Sequence, residues 1–185
     1  MRTPATLTTV PLHLQRMESP IGRIELTSNG EHITSLSMER AGVLPHDGEP
    51  VQSDAVLEKA ITQLSEYFAG ERTEFDLPVL LEGTAFQRAV WEQIAALSWG
   101  QYTSYGELGL AVGRPHAGRA IGRAVGANPV PLIVGCHRVL SSSGHITGYS
   151  GGEGIPTKVW LLEHESIAHK GAAPALFDLD AVALP

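Results

Sequence analysis

Cysteine is nearly absent: Cys136 stands alone among 185 residues. That excludes internal disulfides and any cysteine-rich zinc module, and it points to a reducing, cytoplasmic setting. No uninterrupted apolar run approaches the ~18 residues of a membrane span, so no membrane partner is expected. The opening stretch, MRTPATLTTVPLHLQRMES, lacks the apolar core of ~7–15 residues that a secretory signal needs. Aromatic residues make up only 6% and charged residues 18%, but 43% of the chain is apolar, enough to exclude disorder throughout. The length suits one large domain or two small ones.

Acidic residues are missing from one whole window. From Leu108 to Gly152 there are 45 residues without Asp or Glu, carrying Arg114, Arg119, Arg123 and Arg138, in a chain of net charge −7. A polyanion would dock on this window and be repelled by the rest, where residues 1–78 alone hold twelve acids against six bases. Charge alone leaves a chance gap in a Gly-rich segment equally open.

Residues 19–38 read as a β-hairpin in which Ile24 and Leu26, then Leu36 and Met38, alternate with polar residues, and Asn29-Gly30 suits a type I′ turn. Helical spacing of apolar residues runs from Ala55 to Phe68, with Gly70 as the stop. Thr84 with Gln87, and Ser104 with Glu107, have capping-box spacing before two further helices. A turn at Gly113-Arg114-Pro115 leads to a helix from about His116 to Gly126, a helix-turn-helix candidate. Residues 130–134, VPLIV, form a buried apolar segment, and a last helix opens at Pro156 and runs to about His169. The expected organisation is α+β: a small α/β domain over 1–78, a connector over 79–83, a mainly helical domain over 84–170, and a tail over 171–185.

Cys136 follows the apolar segment, and a lone cysteine there is ordinarily an inert core thiol. His137 and Arg138 beside it favour the thiolate, a soft nucleophile suited to attack on carbon. Glu163 or Glu165 could orient the imidazole. Gly118, Gly122 and Gly126 recur every four residues, with Ala120 and Ala124 between them. This stripe means either tight helix packing or a slim helix that enters a groove with Arg119 projecting from it. Two other patterns carry little. Gly148-Tyr149-Ser150-Gly151-Gly152 matches a serine-hydrolase elbow but lacks room for the later acid and histidine. His164 and His169 are ~140° apart around a helix, not on one metal-binding face.

The stretch TSYGELGLAVGRPHAGRAIGRAVGANPVPLIVGCHRVLSSSGHITGYSGG, followed by WLLEHE, resembles the O6-methylguanine–DNA methyltransferase family over roughly residues 84–166. The resemblance implies a ribonuclease-H-like N-terminal domain and a winged-helix-like C-terminal one. It implies double-stranded DNA containing alkylated bases as partner, no cofactor and no metal. Cys136 would accept an alkyl group from O6-alkylguanine in a single turnover, with O4-alkylthymine as a second candidate substrate. His137 would take its proton through a water, and Glu165 would orient His137. Tyr105 would donate to N3 of the flipped guanine. Arg119 would fill the hole in the base stack, with Ala120, Gly122, Arg123 and Gly126 also against DNA. Asn128 would be the hinge to an active-site strand, and Val139, Tyr149 and Ser150 would line the base pocket.

Gly135 departs from the family's Pro-Cys-His-Arg, and the expectation from it is a roomier or floppier pocket. Four basic contacts would give a salt slope of log K near −4. The chain is expected to act as a monomer, cooperative assembly on DNA being left open. Three rivals make different demands. A non-catalytic alkylated-base-binding or regulatory module of the same fold would have an unreactive Cys136, a hydrolase would turn over, and an ordinary helix-turn-helix regulator would prefer one DNA sequence.

Overall fold

The computed structural model describes residues 13–171. The expected tail therefore lies, apart from Gly171, outside the described residues. Three antiparallel strands open the fold in the order β1 (His13–Met17), β2 (Ile24–Ser28), β3 (Ile33–Met38). The β2–β3 hairpin differs from the expected type I′ turn. Ser28 pairs with Ile33 beside a register shift, and of the turn residues only Gly30 has positive φ, at 94°. Asn29 instead turns the chain with its side chain, Oδ1 accepting from the backbone N–H of Glu31 and His32. That local bond replaces the second left-handed residue.

Helix α1 (Ala55–Phe68) starts at Asp54, whose carboxylate accepts from Leu57 N, and its face of Leu57, Ala60, Leu64 and Tyr67 is fully buried. The chain then runs beside the edge strand β3, where Leu80 N donates to Ile33 O and Ile33 N to Pro78 O. Both capping boxes form, before α2 (Ala85–Ala95) and α3 (Tyr105–Ala111). Ser104 also belongs to β4 (Thr103–Ser104), which pairs in parallel with β5 (Val139–Leu140). Helix α4 (Gly118–Gly126) packs on α2 and α3, and Trp91 Nε1 of α2 donates to the Ala124 carbonyl.

The turn between α3 and α4 is tight because Gly109 has no side chain. A Cβ there would lie 2.9 Å from the Arg114 carbonyl, which comes close because Arg114 N bonds Gly109 O.

Two expectations change in the second half. Residues 130–134 form no strand but a compact turn, with Leu132 at φ 72° and Val134 N bonded to Val130 O. Asn128 makes that turn possible: its Nδ2 donates to Val134 O and its Oδ1 accepts from Val130 N, so one amide closes both ends. The chain then enters a 3-10 turn at Cys136–Arg138. The last helix, α5 (Ile155–His164), ends well before His169, because Glu165 caps it and Ser166 takes φ 57°.

The larger apolar core joins both halves of the chain, from Ile24 and Leu36 through Tyr67 and Trp91 to Val134 and Leu161, and a smaller cluster gathers Leu140, Ile146, Leu162 and Ile167. The outer edge of β3 reaches across it, Leu36 N donating to the Pro129 carbonyl. Among the described residues no helix is long and apolar enough to cross a membrane.

Candidate active site

Cys136 sits where β3, α4, α5 and the 148–152 loop converge, and is only 4% exposed. Its access is through two cavities. The smaller, about 300 Å³, is lined by Tyr105, Gly122, Gly126, Cys136, Tyr149 and Lys158. The larger, about 700 Å³, meets Cys136 from the side of the sheet and is lined there by Met38, Arg40 and Val43 with Asn128 and Pro131. Gly126 and Ser150 border both, and Ser150 Oγ donates to the Gly126 carbonyl, tying the loop to the end of α4.

Behind the sulfur lies a buried network. Glu165 Oε1 accepts from His137 Nε2 at 2.8 Å and Arg138 Nη2 at 3.0 Å, and its Oε2 accepts from Arg138 Nε at 2.7 Å. Burial pushes Glu165 upward, but the hydrogen bonds and charges of His137 and Arg138 overcome it and hold the carboxyl at about 2. An ionised carboxylate only accepts, so the His137 proton resides on Nε2. Burial keeps the imidazole neutral, its pKa below the ordinary value despite Glu165. Its Nδ1 is then a lone-pair atom, buried and without a protein hydrogen bond. The result is a base whose free nitrogen is fixed by the bond at the other.

The sulfur itself departs from expectation. Burial raises the Cys136 pKa, so the resting group is a thiol; the opposing influences are the Asn128 and Tyr149 side chains and the charge of Lys158. Arg138, expected to favour thiolate, is instead spent on Glu165 and on the Leu97 carbonyl. The cation beside the sulfur is Lys158, which the sequence reading missed. It is 1% exposed, donates to Val139 O at 2.6 Å and Gly148 O at 3.3 Å, and burial lowers its pKa to about 8. The signal was a lysine on the apolar face of α5, beside Leu161 and Leu162.

The remaining expected residues fall in three places. Tyr105, Tyr149 and Ser150 line the small cavity, and the Tyr149 hydroxyl is buried without a well-formed hydrogen bond. Arg119, Ala120 and Arg123 lie exposed along α4, and a Cβ at Gly118 or Gly122 would meet nothing within 4 Å. Gly118 and Gly122 therefore face open space rather than a packed helix, while Gly126 meets Ser150. Val139 lines neither cavity; it is buried, with its carbonyl taken by Lys158.

Gly135 also lines neither cavity. At φ −69° and ψ 63° it centres an inverse γ-turn closed by Cys136 N to Val134 O, and the Arg138 side chain crosses its α-carbon, 3.0 Å from where a Cβ would stand. Room that a proline would fill is thus occupied by Arg138, and the expected looseness gives way to contact. Gly135→Pro, compatible with this φ, should therefore leave the ratio of methyl to benzyl transfer rates unchanged. It should alter both transfer rates together through Arg138 and Glu165, as single-turnover rates on the two substrates will show. Among the described residues no three His, Cys, Asp or Glu side chains converge as a metal would require.

Comparison with known families decides the relationship. Residues 85–167 match the model of the 6-O-methylguanine DNA methyltransferase DNA-binding domain, and residues 12–81 that of the family's ribonuclease-like domain. The chain belongs to the 6-O-methylguanine DNA methyltransferase family. It is 42% identical over 170 residues to the methylated-DNA–protein-cysteine methyltransferase of Mycobacterium tuberculosis, covering 90% of this chain and 99% of the relative. The Haemophilus influenzae protein of the same name is 38% identical over 153 residues, covering 82% and 84%.

A crystal structure of Mycobacterium tuberculosis O6-methylguanine methyltransferase superposes with a TM-score of 0.75 at 41% identity, covering 86% of this chain and 96% of that one. The Mycobacterium tuberculosis OGT in complex with DNA gives the same score at 42% identity, covering 83% and 93%.

Proposed function

We propose that this chain repairs DNA by moving an alkyl group from O6-alkylguanine onto Cys136, once per molecule. The observation that carries the reading is a buried thiol at the floor of a base-sized cavity that opens beside an exposed glycine-rich helix.

The O6 atom is reached only after the nucleotide leaves the stack, at a cost of a few kcal/mol that a damaged pair lowers. Arg119, exposed on α4, takes the place of the extruded base. The guanine enters the small cavity between Tyr105 and Tyr149.

Because the resting sulfur is protonated, its proton must leave as the base arrives. It passes through a water to His137 Nδ1, while Glu165 steadies the imidazolium and Lys158 the thiolate. The sulfur then attacks the alkyl carbon and the O6–carbon bond breaks. The electron pair leaves with guanine, where Tyr105 donates to N3. The product thioether has no carbonyl for water to attack, so the thiol is not regenerated. The chemistry calls for no cofactor.

The larger cavity also reaches Cys136, and this room supports acceptance of groups bigger than methyl. With Arg138 buried, the exposed arginines of the basic window are Arg114, Arg119 and Arg123. The expected slope of log K against log salt moves from about −4 to about −3.

Stoichiometry tests the proposal. With excess O6-methylguanine duplex, released product should plateau at one per protein molecule. A linear rise would mean a hydrolase, and no product with intact damage-specific binding would mean a recognition module.

A further inference from the structure

We propose that Tyr67, from α1 in the N-terminal half, is a positioning residue for the transfer, its hydroxyl holding Glu165 in the orientation that keeps a proton on His137 Nε2 and leaves Nδ1 free. The inference rests on the alkyl-transfer reading above.

Tyr67 Oη donates to Glu165 Oε1 at 2.8 Å, across 98 residues of sequence, and both groups are fully buried. That oxygen is the one which accepts from His137. The ring cannot swing away: Phe68, Trp99 and His164 pack edge-on against it with centroids 5.3, 5.4 and 5.1 Å away. The backbone is pinned as well, His164 Nε2 bonding the Tyr67 carbonyl at 2.8 Å.

A phenylalanine would fill the same apolar space. A hydroxyl taken out of water at this depth is unfavourable unless it is bonded, so its presence points to its bond. Burial and the Glu165 charge push the Tyr67 pKa up, which keeps it a donor throughout the working range.

The sign of its influence follows from what surrounds the imidazole. His137 faces Glu165 and Lys158 of the α5 region and Arg138 of its own turn; Glu165 faces Tyr67 of α1 with His137 and Arg138; Cys136 and Tyr149 lie beyond. Donation from Tyr67 spreads the Glu165 charge and weakens its pull on an imidazolium proton. Without it His137 holds that proton to higher pH and is less often the free base.

The experiment is a single-turnover pH–rate profile on O6-methylguanine duplex for the full chain. Tyr67→Phe should move the acid limb up by about half to one pH unit, leaving the alkaline plateau within about twofold. Tyr67→3-fluorotyrosine, a stronger donor of nearly equal size, should move the limb the other way, and it decides the matter if Tyr67→Phe does not fold. Leu64→Ala, on the same buried face of α1, should lower Tm without moving the limb. An unmoved limb in both Tyr67 variants would reduce the residue to packing and overturn the proposal. NMR titration of the His137 ring separates this from failure of the alkyl-transfer reading. Even in a protein that forms no adduct, the imidazole pKa must rise in Tyr67→Phe, and an unchanged value overturns the proposal.

Discussion

Glu165→Gln is expected to slow transfer by on the order of 10²–10³, within the range that a positioned acid–base group contributes. The amide cannot satisfy all its neighbours. Its oxygen can accept from His137 or from Arg138, but its NH₂ then faces another donor, and the buried Arg138 charge is left without an anion.

Removing one partner of a buried pair costs about 3–5 kcal/mol, so Tm should fall markedly too. Glu165→Asp keeps the charge and should lose less of both. The acid response gives a separate check. Glu165 is held at about 2, below the ordinary 4.5. A depressed carboxyl contributes stability that is present above its unfolded value and lost as pH falls toward its folded one. Wild-type Tm should therefore drop through that window, and the Gln variant should lack this component of the slope.

Arg119→Ala should separate extrusion from chemistry. Filling the vacated stack offsets an unpairing cost of a few kcal/mol, so its loss should slow transfer from duplex DNA by roughly 10–100-fold. Transfer from free O6-benzylguanine base needs no extrusion, and its rate should stay at the wild-type value. Equal losses on both substrates would place Arg119 in the reaction chemistry rather than at the base stack. Equal retention on both would leave it a solvated surface arginine.

The parts of this molecule that were readable in advance are those set by neighbours in sequence. Thr84–Gln87 and Ser104–Glu107 are reciprocal local bonds, and both formed. The α1 stripe follows from helical period alone and has the expected bounds. Where two local solutions compete, the sequence was less informative. VPLIV has the composition of a strand, but the Asn128 side chain closes it into a turn. Asn29-Gly30 suits one hairpin turn and makes another. Strand β1, HLQRM, shows no apolar alternation, because of its five residues only Leu14 is fully buried.

The site shows the same division. Cys136, His137, Glu165 and Tyr105 are marked by a short motif and its order along the chain. Tyr67 and Lys158 are not, since each looks like an ordinary member of a buried helix face. Their contacts exist only once the chain has folded, Tyr67 meeting Glu165 across 98 residues and Lys158 meeting Val139 across 19. Arg138 shows the reverse error: a charge counted toward a DNA-binding face is consumed inside the protein, which no count of local sequence could reveal.

The most direct measurement is the mass of the intact protein after incubation with O6-methylguanine duplex, followed by mapping of the modified peptide. The account predicts one methyl group per molecule, located on Cys136, persistent on storage and absent from Cys136→Ala. An unmodified chain, a methyl group on any other residue, or one that disappears with time would contradict it.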